Sequence, residues 1–117
     1  MSTQRLFTFS DYLQPAEQEP IRSVVSRNED TAIIAWHVQP GQHLAAHSHP
    51  SGQDTWVIMS GTGTYQLDKE GTTMIIKAGD VVIAPTGAVH GVYNHGTEPL
   101  TFVGIVAPAE SGFELLG

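Results

Sequence analysis

Glycine and proline interrupt this chain so often that no long helix fits between them. Twelve Gly and seven Pro are spread over 117 residues. They fall in turn-type clusters at Pro40-Gly41, Ser51-Gly52, Gly61-Thr62-Gly63, Glu70-Gly71, Ala78-Gly79-Asp80, Thr86-Gly87 and His95-Gly96. Such clusters favour positive φ or a preset φ and stop regular structure. The segments between them are short and rich in β-branched and aromatic residues: 23–26, 31–38, 43–46, 55–60, 64–67, 73–76, 81–84, 89–94 and 100–107. No apolar repeat of helical period runs beyond about two turns. Short strands at close, even spacing predict an all-β sandwich or barrel.

The length suits one domain with a core of its own. Residues 1–22 read as an irregular or partly extended arm, since Pro15 and Pro20 break any helix there. The barrel is expected over 23–110, with a tail at 111–117. Val57-Ile58-Met59, Met74-Ile75-Ile76 and Val81-Val82-Ile83 are continuous apolar runs. A strand of this kind is buried on both faces or lies at a subunit contact, so a homodimer is expected, unless loops or the arm cover the outer face.

Composition excludes several chemistries. With no Cys, disulfides, thiolate metal sites and thiol nucleophiles are ruled out, and a reducing compartment fits. The formal net charge is −7, and the five Lys and Arg are scattered. A nucleic-acid partner needs a basic stripe, and an acidic surface is repelled by anionic lipid. Neither signal-peptide pattern nor membrane-spanning apolar run is visible. The expectation is a cytoplasmic protein without nucleic-acid or membrane partners.

Six His outnumber the cationic side chains, and their spacing is informative. In His47-Ser48-His49, residues two apart on a strand project to one face. Asp54 follows after the Pro50-Ser51-Gly52 turn, and His90 follows Pro85-Thr86-Gly87. Three imidazoles and a carboxylate suit a first-row divalent metal (Fe, Mn, Ni, Zn, Co or Cu) rather than Ca or Mg.

At these residues the chain resembles a small single-domain cupin. The family's first motif, Gly-x5-His-x-His-x(3,4)-Glu-x6-Gly, is matched by Gly41, His47, His49, Asp54 and Gly61, with Asp in place of Glu. Its second, Gly-x5-Pro-x-Gly-x2-His-x3-Asn, is matched by Gly79, Pro85, Gly87, His90 and Asn94. The resemblance implies a jelly-roll barrel of two antiparallel sheets, with the metal inside, held by His47, His49, Asp54 and His90. Asp54 is one methylene shorter than Glu, so it either coordinates directly or acts through water or as an acceptor orienting an imidazole.

Other residues carry weaker signals. On an unbroken strand His43 faces the same cavity as His47, where an imidazole could move protons; otherwise it is a rim or surface His. Trp56 and Ile58 share the phase of Asp54, and Val92 and Asn94 that of His90. They are expected either as cavity wall or as core, with Tyr65, Met74, Ile76, Ile83 and Phe102 as further wall candidates. His37 and His95 are read as structural. No Gly-x-Ser-x-Gly elbow or phosphate-binding glycine loop appears. The expected function is therefore metal chemistry on a small organic molecule, of dioxygenase, isomerase or decarboxylase type, as the resemblance implies. The alternative is a non-catalytic barrel that binds metal and a small ligand.

Overall fold

A computed structural model describes residues 4–116; the first residues of the arm and the last of the tail lie outside it. The strands are β1 (Ser23–Arg27), β2 (Ala32–Val38), β3 (His43–Ser48), β4 (Gln53–Ser60), β5 (Thr62–Gln66), β6 (Thr73–Lys77), β7 (Val81–Ala84), β8 (His90–Tyr93), β9 (Leu100–Ala107) and β10 (Glu114–Leu115). They form two five-stranded sheets, ordered β1-β2-β9-β4-β7 and β10-β3-β8-β5-β6, with every pairing antiparallel. This is the expected jelly roll.

Alternation sets the inner face. Along β4, Asp54, Trp56 and Ile58 are buried while Gln53, Met59 and Ser60 are exposed. On the inner face of β9, Leu100 and Phe102 are completely buried. One end of the barrel is filled by Val38, Trp56, Ile58, Tyr65, Ile76, Val92, Leu100 and Phe102. Removing this apolar surface from water supplies the main favourable term in folding. A smaller cluster of Ala32, Ile34 and Val106 lies apart from it.

Glycine is required where the barrel turns tightly. Gly61 has φ +80, and a Cβ there would lie 2.3 Å from the Pro99 carbonyl oxygen. Gly87, at φ +81, shapes the turn ahead of His90.

Of the alternatives left open for the apolar runs, cover within the single chain is not what the structure shows. The apolar runs are not buried on both faces of the single chain: Met59, Met74, Ile75, Val81 and Ile83 are between 48% and 71% exposed. The arm does not cover them. It carries a short 3-10 helix, Phe9–Tyr12, and is tied elsewhere, by Gln14 donating to Ser23 and by Gln42 donating to the Ala16 carbonyl. In the tail, β10 pairs with β3, Glu114 opposite Ser48 and Leu115 opposite His47.

Candidate metal centre

Two strands and a turn of one sheet deliver the histidines, and the other sheet delivers the acid. His47 on β3 stands opposite His90 on β8, with ring centroids 4.2 Å apart. His49 lies just past β3, its ring 5.1 Å from that of His47. The turn before His90 is closed by the Ala88 amide donating to Pro85. It is fastened to the His49 backbone by the Gly87 amide, 2.9 Å from the His49 carbonyl. Asp54 reaches across from β4. One potential ligand atom from each of His47, His49, Asp54 and His90 lies within 4.8 Å of the others.

Each imidazole is held by its far nitrogen. Nδ1 of His47 lies 2.7 Å from the Ala45 carbonyl, Nδ1 of His49 lies 2.8 Å from Gly112 and Nδ1 of His90 lies 3.1 Å from Ala88. A carbonyl only accepts, so all three Nδ1 atoms carry the proton and donate it. Each neutral ring is thereby left with a lone pair on Nε2. Those of His90 and His49 point at Asp54 Oδ2, at 3.0 and 3.3 Å. A lone pair facing a carboxylate needs a proton or a cation between them. Two donors each about 2.1 Å from one ion and at a right angle to it lie about 3 Å apart. Asp54 Oδ1 is buried with no hydrogen-bond partner, although such groups are normally satisfied. The donor set, the ring orientation and the orphaned oxygen all fit a divalent transition metal.

The electrostatics agree. Burial, helped by the neighbouring His90, pushes the His47 pKa down to about 4, against its bond to Ala45; this ring is neutral and ready to ligate at pH 7. The hydrogen bond to Asp54 raises His49, against burial. Burial works to raise Asp54, but the bonds and charges of His49 and His90 outweigh it and hold the carboxyl down at about 2. Burial, then the Asp54 charge, pushes Tyr65 up to about 12, so its phenol stays protonated.

A cavity of about 620 Å³ opens over the cluster. Its walls include Ile34, Trp36, Leu44, Val106, Phe113 and Leu115, with Arg22, Glu19 and His43 towards the rim. Of the two placements expected for the wall candidates, wall or core, most take the second. Trp56, Ile58, Tyr65, Val92, Ile76 and Phe102 belong to the closed core; the Trp56 ring supports His90 from 5.5 Å. Met74 and Ile83 face outward, about half exposed. Asn94 is wholly buried and fastens loops, donating to Val38 and Glu98 and accepting from Gly96.

His43 does not share the strand phase of His47, and it reaches the same cavity only at the rim, one of the two placements expected for it. The register shifts between Leu44 and His47, and this bulge reverses the phase assumed for an unbroken strand. His43 is exposed, its ring stacked 6.0 Å from Tyr93. His37 lies on β2, away from the cluster, and His95 stacks on Tyr93 at 4.1 Å. The contributions of Gly112 and Phe113 had no signal in sequence spacing. The Phe113 ring lies 5.0 Å from that of His47. Trp36 could have been found, because it alternates in phase with Ile34 and Val38 on one face of β2.

A family model described as a cupin domain matches residues 34–106. The chain is 30% identical over 79 residues to an oxalate-binding protein of Thermotoga maritima, covering 68% of this chain and 64% of that protein. It is 27% identical over 84 residues to germin-like protein 5-1 of Oryza sativa subsp. japonica, covering 68% and 36%. The chain thus spans less than two thirds of the length of either. A crystal structure of a conserved protein with a double-stranded β-helix domain from Klebsiella pneumoniae superposes with a TM-score of 0.93 at 46% identity, covering 97% of each chain. An RmlC-like cupin from Desulfovibrio desulfuricans superposes with a TM-score of 0.69 at 25% identity, covering 93% of this chain and 98% of that one. With its jelly-roll topology and a family model matched across most of the barrel, the chain belongs to the cupin domain family.

Proposed function

We propose that the protein binds one divalent transition metal (Fe, Mn, Co, Ni, Cu or Zn) through His47, His49, His90 and Asp54, and acts on a small organic molecule in the cavity above it. The observation that carries this reading is the shared tautomer: three Nδ1–H groups tied to backbone carbonyls leave three Nε2 lone pairs at the cluster around Asp54. A bound ion would supply Lewis acidity at a carbonyl or enolate oxygen of the small molecule, which suits isomerase or decarboxylase type chemistry, or electron transfer with O2 as co-substrate, which suits dioxygenase type chemistry. The apolar walls exclude water from the reacting atoms. Asp54 and the backbone carbonyls hold the rings in place. His43, at the rim, is the candidate for proton exchange with solvent. Turnover of an organic acid, keto acid or enol panel by the metal-loaded protein, lost in His47→Ala, supports an enzyme; no turnover with any of the six metals sinks it.

A second reading, a non-catalytic metal and ligand barrel, is favoured by Phe113, whose ring lies beside both His47 and His49. An exchangeable water on the loaded metal, seen by paramagnetic relaxation, would speak against that reading. The exposed apolar side chains of β4, β6 and β7 support a homodimer, testable by light scattering. The lack of Cys supports a cytoplasmic site; among the described residues no helix is long and apolar enough to cross a membrane.

A further inference from the structure

We infer that the cavity selects an amphipathic carboxylate, its apolar body lying along Trp36, Leu44 and Phe113 and its anionic head paired with Arg22. This deepens the proposed function by naming a substrate class. It rests on that reading only for the reaction, because Arg22 and the apolar wall stand outside the metal cluster.

Three observations converge. The cavity, at about 620 Å³, has the size of sites that enclose drug-sized molecules. A small dicarboxylate such as oxalate has no apolar body to cover these walls. The side of the cavity formed by Ile34, Trp36, Leu44, Val106, Phe113 and Leu115 is apolar, and burying a matching surface there is favourable. Arg22 is the only Lys or Arg among the lining residues. Of the five Lys and Arg, Arg27 pairs with Glu110 and Lys77 with Asp80, while Arg5 and Lys69 make no ion pair among the described residues and do not line the cavity. Arg22 makes no ion pair within 4.0 Å among the described residues, not even with Glu19, which also lines the cavity. A planar guanidinium offers paired donors that match a carboxylate.

Space for the apolar body depends on Gly104. A Cβ there would lie 3.4 Å from the Trp36 indole nitrogen and 3.6 Å from Trp56 Cδ1, and Gly104 lines the cavity, so a longer side chain would crowd both indoles at the cavity wall.

The test is a fluorescence titration, since Trp36 reports on the cavity. The probes are 3-phenylpropanoate, its neutral amide 3-phenylpropanamide, and oxalate. Each is added to zinc-loaded protein and to protein stripped with chelator. The expected result in both forms is a preference of at least tenfold for 3-phenylpropanoate over the amide and over oxalate. Arg22→Gln should cut the acid-over-amide preference to within twofold, with amide binding unchanged. Gly104→Leu should weaken acid and amide together by at least tenfold. Equal binding of acid and amide, tighter binding of oxalate, or a preference that survives Arg22→Gln overturns the inference. Zinc stoichiometry, measured separately on wild type and Arg22→Gln, reports on the metal reading alone. Loss of zinc uptake in wild type would sink that reading and leave the titration of stripped protein to decide this one.

Discussion

Replacing Asp54 by Asn separates the metal reading from a merely structural polar cluster. The substitution keeps the side-chain shape and removes one buried charge. In stripped protein the introduced amide can donate its Nδ2–H to a neutral Nε2 of His90 or His49, the atoms that lie 3.0 and 3.3 Å from Asp54 Oδ2 in the wild type. The cost without metal is therefore small, within about 1 kcal/mol, since each lost bond is replaced. With metal the situation reverses, because an anionic ligand becomes a neutral one. Even loss of a group that only supports a ligand weakens metal binding roughly 10- to 100-fold. A loss of about 100-fold corresponds to about 2.7 kcal/mol of metal-dependent stability at saturating metal. For a chain of this length that is about 10 °C in Tm. The assay is thermal unfolding of wild type and Asp54→Asn, each in chelator and in fixed excess zinc. The expected pattern is similar Tm values in chelator and a zinc-induced rise smaller by about 10 °C in the variant. An equal rise in both proteins would refute Asp54 as a ligand. A large loss already present in chelator would refute the replacement argument.

Further consequences can be checked in the same way. Asn94→Ala removes three hydrogen bonds, one buried and two part-buried, and should cost about 3 kcal/mol in urea unfolding while leaving zinc stoichiometry unchanged. Truncation after Glu110 removes the Gly112 carbonyl that holds His49 and the Phe113 ring beside His47; calorimetry should show zinc affinity lowered roughly 10- to 100-fold. In stripped protein His47 has its pKa depressed from 6.5 to about 4. The unfolded chain then takes up a proton that the native chain refuses, so this contribution is present above pH 6.5 and is lost as pH falls towards 4. His47→Gln should abolish that part of the acid destabilisation, about 3 kcal/mol, seen by comparing denaturant midpoints at about pH 7 and about pH 4.5.

Much of this architecture is legible in the sequence because alternation and turn chemistry are local. The segments 81–84 and 100–107 have the bounds that β7 and β9 adopt, since Gly79-Asp80, Pro85 and Pro99 mark their ends. The fixed spacings around His47, His49, Asp54 and His90 pick out four residues that the structure brings together. What the sequence leaves open depends on context. An unbroken strand gives His43 the phase of His47, because a bulge leaves no clear mark in the residues around it. Trp56, Ile58 and Val92 have the correct inner face, but parity tells the face and not the depth. They therefore fill the closed end instead of lining the cavity. Asn94 shares their face and is spent on loop carbonyls. Gly112 and Phe113 enter the site beside a two-residue strand, too short to have a period. The exposed runs on β6 and β7 show that apolar continuity reports a need for cover without saying what supplies it.

One metal ion is proposed to sit among His47, His49, His90 and Asp54. The most direct measurement is a crystal structure of metal-loaded protein with anomalous data collected on both sides of the metal edge. A single anomalous peak is expected within about 2.0–2.2 Å of the three Nε2 atoms and of one Asp54 oxygen. A peak elsewhere, no peak, or a peak bound by the histidines with Asp54 turned away would contradict that placement.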